Sequence, residues 1–96
     1  MVIPPHLAST VKLIRSAFSE GIPQDEYLPL LAVLYPFMAD ENLAEVASML
    51  TGRDRGATLN DVYAAGAGVG FSQEAVARVK NRLEAVGLDE WSQENS

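Results

Sequence analysis

The feature that most constrains this chain is an uncharged apolar stretch, residues 28–39, which reads LPLLAVLYPFMA and contains Pro29 and Pro36. A membrane-spanning helix needs about 20 apolar residues, so this stretch is too short to cross a bilayer. Proline is compatible with a helix only near its start, and Pro36 disfavours a helical conformation for Tyr35. The pattern therefore predicts a short helix that begins near residues 25–27, stops or kinks at Tyr35, and is buried on most sides.

Two neighbouring helices are predicted from apolar residues at helical spacing and from the residues at their ends. The first covers residues 7–20 and ends at Gly21. The second follows the central helix, with Asp40 as its expected N-cap and Gly52 as its stop. The four apolar residues that form one stripe on the first helix are Leu7, Val11, Ile14 and Phe18.

Two further helices are predicted in the C-terminal half of the chain. Thr58 is expected to cap the first of them, which should end between residues 65 and 67 before a glycine-containing turn. Ser72 is expected to cap the second, and Gly87 to end it. The expected apolar face of the helix after Thr58 consists of Leu59, Val62 and Tyr63.

Together these elements predict an all-α fold, a compact bundle of about five short helices in a single domain that spans residues 1–96. Residues 1–6 and 92–96 are expected to fray at the two ends. The predicted shared core consists of Leu31, Leu34, Val46, Leu50, Val79 and Leu83.

Three segments of the sequence, GIPQDEYLPLLAVL, ADENLAEVASML and EAVARVKNRLEAVG, resemble a domain-of-unknown-function family of small actinobacterial proteins. The resemblance covers about residues 18–88, and its most characteristic part is the YLPLLAVL block followed by a helix with an acidic start. It implies an all-helical domain of about this length. It implies no activity, because none is established for the family.

The residue types needed for catalysis or metal binding are sparse. The chain has no cysteine and a single histidine, His6, in a proline-rich segment. The acidic cluster Asp40, Glu41 and Glu45 is interpreted as a solvated helix start. The GAGVG run at residues 66–70 lacks the preceding strand and the GK[ST] ending of phosphate-binding loops. We therefore expect no enzyme activity, no cofactor and no bound metal.

Residues 58–87 allow an alternative interpretation as a helix-turn-helix, because they resemble bacterial repressor DNA-binding segments. The residues that would face the major groove are Gln73, Glu74, Ala77, Arg78 and Asn81. The predicted turn is longer than the usual 3–4 residues. Lys80 and Arg82 fall on opposite flanks of the stripe, and the net charge of −6 repels nucleic acid. On this balance, we do not expect nucleic acid as the partner.

The remaining interpretation is a non-enzymatic protein-interaction domain in the cytoplasm, either a monomer or a weak homo-oligomer. The sequence shows no secretion signal and no membrane-spanning segment. Trp91 is the only tryptophan, and it either folds back onto the bundle, as we expect, or stays exposed and anchors a partner. In the second case the nearby acids Asp89, Glu90 and Glu94 would favour a basic partner. The candidate interaction residues are Arg78, Asn81 and Trp91.

Overall fold

The structure, a computed structural model, describes residues 3–94. This part of the chain contains six α-helices: α1 (Ala8–Ala17), α2 (Gln24–Leu34), α3 (Asp40–Thr51), α4 (Arg55–Ala67), α5 (Gln73–Glu84) and α6 (Leu88–Glu94). Single turns of 3-10 helix, Pro5–Leu7 and Tyr35–Phe37, precede α1 and follow α2. No strand occurs within residues 3–94. The predicted all-α class and compact bundle are confirmed, with one helix more than the five expected because the tail after Gly87 is helical.

Helix α2 is the centre of the fold, as its composition predicts. It packs against α4 and α5, while α3 pairs with α4, and α1 packs against α5 and α6. Leu34 is fully buried, and the helix ends there, one residue before the Tyr35–Phe37 turn that contains Pro36. The prediction that the helix stops at Pro36 is therefore confirmed. The expectation that Tyr35 is not helical is wrong, because Tyr35 has φ −51° and ψ −44° and its N–H bonds to the Leu31 carbonyl. The helix begins at Gln24, one residue earlier than expected.

The predicted core is confirmed at five of its six positions. Leu50 is the exception, because it is only half-buried and packs at the edge of the core. The five buried positions are Leu31, Leu34, Val46, Val79 and Leu83.

The start of α4 differs from the prediction. Asp54 is the N-cap, and its carboxylate accepts hydrogen bonds from the backbone N–H groups of Gly56 and Ala57 at 3.0 and 3.3 Å. Thr58 is fully buried, and its hydroxyl lies 2.9 Å from both the Ala44 and the Arg55 carbonyl oxygens. The assignment of Thr58 as a cap was wrong, because its side chain links α4 to α3 instead.

Three smaller predictions also need correction. Asp40 is the first residue of α3 and not its cap; Ala39 holds the cap position without a side-chain hydrogen bond. Helix α1 ends at Ala17 rather than near Glu20, because Phe18 leaves the helical conformation and buries its ring in the core. Tyr63 does not belong to the apolar face of α4, since its side chain is 52% exposed.

The remaining helix ends agree with the sequence except that of α5, which ends at Glu84, three residues before the predicted stop at Gly87, and is followed by a turn over residues 85–87. Gly52 and Gly68 follow α3 and α4 in the left-handed conformation, and Gly70 also has a positive φ. The Ser72 hydroxyl accepts a hydrogen bond from the Ala75 N–H at 3.1 Å, which caps α5. Among the described helices, none is long and apolar enough to cross a bilayer.

Both ends of the described chain contain helical residues within the segments that are expected to fray. Helix α6 extends to Glu94, and the first 3-10 turn begins at Pro5. Residues 1–2 and 95–96 lie outside the described residues. Fraying of the ends in solution stays a prediction.

Candidate functional site

Three exposed aromatic side chains lie on the 3-10 turn that follows α2 and on α4, which packs against α2. Tyr35 and Phe37, each 37% exposed, belong to the 3-10 turn after α2, and Tyr63, 52% exposed, lies on α4. The turn packs against α4, so Tyr35 and Tyr63 belong to one region of the surface, and Phe37 lies on the same turn as Tyr35. We call Tyr35, Phe37 and Tyr63 the aromatic surface.

Tyr35 lies directly against the backbone of α4 at Gly66. A Cβ atom added at Gly66 would be only 2.6 Å from the Tyr35 Cε2 atom and 2.7 Å from its Cζ atom. Tyr63 precedes Gly66 by three residues, so both lie on one face of the helix. A glycine inside a helix costs about 1 kcal/mol relative to alanine. Because Gly66 has no side chain, the Tyr35 ring can pack directly against the helix backbone at this position.

Phe37 packs against Trp91 of α6. The two ring centroids are 5.8 Å apart and the ring planes meet at 82°, an edge-to-face contact. Trp91 is only 4% exposed, and its Nε1–H donates a hydrogen bond to the Thr10 hydroxyl at 3.1 Å. The prediction that Trp91 folds back onto the bundle is confirmed. Any interaction role of Trp91 stays a prediction, and in this structure the exposed residue at that place is Phe37.

A groove between α3 and α4 adjoins the aromatic surface. It has a volume of about 370 Å³, and Glu41, Ala44 and Leu59 are among its lining residues. Leu59 lies one turn before Tyr63 on α4, and the two side chains are therefore neighbours on the helix surface. The aromatic surface thus continues into a concave, partly apolar region that is lined by one carboxylate, Glu41, and one guanidinium, Arg55.

Helices α3 and α6 each begin with two acidic residues. Asp40 and Glu41 form the first turn of α3, and Asp89 and Glu90 lie in the first turn of α6, the helix that carries Trp91. The ion pairs found within residues 3–94 involve none of these four carboxylates.

A second charged region joins α5 to the beginning of α2. The Arg82 Nε–H donates a 2.7 Å hydrogen bond to the Ala17 carbonyl, and the guanidinium carbon lies 4.5 Å from the centre of the Phe18 ring. Arg82 also pairs with Glu26 at 3.4 Å, and the Arg78 Nε atom lies 4.0 Å from the same carboxylate. Arg82 therefore holds three segments of the fold together.

These contacts bear on the helix-turn-helix interpretation. Arg78 and Asn81 are exposed on α5, as that interpretation requires. Helix α4, however, packs mainly on α3, and α5 packs mainly on α2. The two helices contact each other little, whereas the two helices of this motif usually pack together. Arg82 is engaged in the internal contacts described above, and Arg78 approaches Glu26. The DNA-binding role of residues 58–87 stays a hypothesis.

A tyrosine–aspartate–arginine contact joins α2 to α4, and nothing in the sequence pattern indicated it. The Tyr27 hydroxyl donates a 2.8 Å hydrogen bond to Asp61 Oδ2, which lies 3.2 Å from the Arg53 Nε atom. Burial, and then the hydrogen bond and charge of Asp61, raise the pKa of the Tyr27 phenol above its ordinary value. Because the carboxylate is already engaged by both neighbours, this contact is best explained as a structural link.

The other residues considered from the sequence remain apart. His6 is exposed in the first 3-10 turn, and residues 66–70 form the end of α4 and the turn after it. Within residues 3–94, no three His, Cys, Asp or Glu side chains converge as a metal site.

Comparison with known proteins identifies one family. No curated protein and no solved structure gave a significant match. The model of a family described as "Protein of unknown function (DUF3349)" matches residues 5–92. The match extends beyond both ends of the region expected from the sequence. Because it covers nearly the whole sequence, the chain belongs to the DUF3349 family of proteins of unknown function.

Proposed function

We propose that this chain is a non-enzymatic protein-interaction domain that binds its partner through the aromatic surface. The observation that carries the proposal is the exposure of Tyr35, Phe37 and Tyr63 on two elements of a small acidic domain that pack together, the Tyr35–Phe37 turn and α4. Aromatic residues are enriched in protein–protein interfaces and among the residues that contribute most to binding energy. Grouped exposed apolar side chains mark interaction sites more often than single ones do.

The packing contacts of Tyr35 and Phe37 support the same proposal. Tyr35 lies against the backbone at Gly66, and Phe37 lies edge-to-face on the buried Trp91. Side chains that are already held in place lose little conformational entropy when a partner binds. The aromatic surface is therefore suited to binding without rearrangement of the fold.

The non-catalytic part of the proposal rests on how the polar groups are used. The Tyr27 hydroxyl and Arg53 both engage Asp61, and Arg82 is engaged with a backbone carbonyl and Glu26. Groups engaged in this way serve to connect helices. We further propose a cytoplasmic location, which agrees with the complete lack of cysteine, and a monomer or weak homo-oligomer.

The proposal is tested by affinity capture of the full chain from its native cells, followed by mass spectrometry. Wild type is compared with Tyr63→Ser and with Val86→Ser, a control that removes an exposed apolar side chain outside the aromatic surface. We expect one or more proteins to be captured by wild type and by Val86→Ser and to be lost with Tyr63→Ser. The melting temperatures of the variants establish that each one is folded. Recovery of the same proteins by all three chains would contradict the proposal.

A further inference from the structure

A second groove lies at the beginning of α2. It is bounded by the first turns of α2, the loop before that helix and the corner where α4 follows α3, and its volume is about 380 Å³. This volume falls within the range of small-molecule sites, which combine apolar side chains with a few polar ones. Its lining includes none of the three residues of the aromatic surface, so it can bind a ligand independently of that surface.

The contact among Tyr27, Asp61 and Arg53 forms the polar part of this groove. The Tyr27 hydroxyl and the Arg53 Nε atom both engage Asp61 Oδ2, at 2.8 and 3.2 Å. No hydrogen bond to Asp61 Oδ1 occurs within residues 3–94, so this oxygen can accept one from a ligand. The Arg53 side chain is 51% exposed, and an arginine carries five N–H donors, so it keeps donors for a ligand as well.

The charges of this polar part favour a neutral ligand. Arg53 and Asp61 are the charged residues in the lining, and their charges balance. A ligand that offers one acceptor to Arg53 and one donor to Asp61 Oδ1 satisfies both without adding a charge, and a carboxamide has this combination. Exposed Gln24 lines the groove too, whereas the hydroxyl of Thr51, the remaining polar lining residue, is already engaged by the Ala47 carbonyl and the Arg53 N–H.

Ile22 and Leu28 form the apolar part of the groove. Both are half-buried and pack against the core. Leu28 also lies close to the turn after α4, since a Cβ atom added at Gly70 would be 3.3 Å from the Leu28 Cδ1 atom. An apolar ring placed on these two side chains would remove their remaining apolar surface from water, which is favourable.

We infer that this groove binds a small neutral molecule in which a carboxamide adjoins an apolar ring. The carboxamide oxygen accepts a hydrogen bond from Arg53, and its N–H donates to Asp61 Oδ1. The ring lies on Ile22 and Leu28. The Tyr27–Asp61 hydrogen bond, which links α2 to α4, holds the polar groups in place before the ligand binds.

The inference is tested by titrating the isotope-labelled full chain with benzamide, benzoate and benzamidinium, three probes of the same shape, while recording backbone amide NMR shifts. We expect saturable shifts at Ile22, Leu28 and Arg53 from benzamide, with a dissociation constant of about 1 to 10 mM for a ligand of this size. Benzoate and benzamidinium should bind roughly tenfold more weakly, because one polar atom of each probe then meets a group of its own charge. Acetamide, which lacks the ring, should bind more weakly still.

Two arginine variants provide the matched control. Arg53→Met removes the guanidinium and should weaken benzamide binding roughly tenfold, as expected for the loss of a hydrogen bond to a charged group. The contacts of residue 53 with Ser48 and Thr51 use its backbone and are retained. Arg55→Met removes an exposed arginine outside this groove and should leave the affinity unchanged. Melting temperatures establish that both variants are folded.

Four other outcomes would overturn the inference. They are no binding of benzamide, an affinity for benzoate or benzamidinium equal to that for benzamide, an equal loss of affinity in both arginine variants, and an equal affinity for acetamide. The last would show that the groove recognises the amide alone, a group that a side chain of a protein partner also presents. The capture experiment decides the proposed function separately, because the aromatic surface does not line this groove.

Discussion

Replacing Thr58 by aspartate separates a capping role from a buried role more sharply than any other single substitution in this chain. At a helix N-cap, aspartate is at least as favourable as threonine, so the exchange would leave stability unchanged or slightly raised. The structure instead buries Thr58 completely, with its hydroxyl 2.9 Å from the carbonyl oxygens of Ala44 and Arg55. A carboxylate there would face two acceptors without a donor.

The buried position of Thr58 sets the expected loss of stability. An unpaired buried charge costs about 3 to 5 kcal/mol, a large share of the 5 to 15 kcal/mol that stabilises a typical domain. Thr58→Val, which keeps the shape and removes only the hydroxyl, should cost about 1 kcal/mol for the lost hydrogen bond. Asp54→Ala should also cost about 1 kcal/mol, because it removes the side chain that caps α4.

Urea denaturation followed by far-ultraviolet circular dichroism measures all three variants against wild type. We expect Thr58→Asp to be mostly unfolded or to have a greatly lowered midpoint, with Asp54→Ala and Thr58→Val between it and wild type. A Thr58→Asp variant as stable as wild type, combined with an unaffected Asp54→Ala, would refute the buried role and restore the capping role.

Four further outcomes are expected. Leu34→Ala should lower the free energy of unfolding by about 2 to 5 kcal/mol, because Leu34 is fully buried in the central helix; an unchanged urea midpoint would contradict the core assignment. The raised pKa of Tyr27 means that the folded state holds the phenolic proton more tightly than the unfolded state. This stabilisation is complete below the unfolded tyrosine pKa of about 10 and is lost as pH rises above it, so Tyr27→Phe should reduce the alkaline loss of stability. The emission of Trp91 should be blue-shifted and poorly quenched by acrylamide in the free chain; an emission maximum like that of free indole would show that the ring is exposed. Gel-shift titrations at low salt should show no saturable DNA binding, whereas salt-sensitive binding that disappears in Arg78→Glu would favour the helix-turn-helix hypothesis.

The parts of the fold that could be predicted are those set by local chemistry. Pro36 stops α2 because proline has no backbone N–H for the next α-helical hydrogen bond, although Tyr35 keeps helical angles. Gly52 and Gly68 end their helices because glycine adopts the left-handed conformation at little cost. Ser72 caps α5 through its own hydroxyl. None of these features depends on a distant part of the chain.

The parts that were missed depend on distant contacts. Asp54 and Thr58 are both common cap residues, and only the packing of α4 on α3 shows which one is buried. Helix α6 has seven residues, fewer than an isolated helix needs, so its local sequence gave no reason to predict it. Its stability comes from the burial of Leu88 and Trp91 in the core.

The candidate site was predicted only in part. The sequence directed attention to Trp91 and to its acidic surroundings, but the ring is buried and Phe37 covers it. Tyr63 was expected on the apolar face of α4, and its exposure follows from the rotation of that helix, which turns Val62 and Ala65 inward. The Tyr27–Asp61 hydrogen bond joins residues 34 positions apart, and no short-range pattern indicates it.

Site-specific photo-crosslinking in native cells tests the central claim most directly, because it records what touches a chosen residue. A photoreactive phenylalanine analogue replaces Tyr63 on the aromatic surface in one chain and Asn81 on the exposed face of α5 in another. The account predicts adducts with a distinct partner protein from position 63 and none from position 81. Adducts from position 81 alone would contradict it and would assign the interaction to α5.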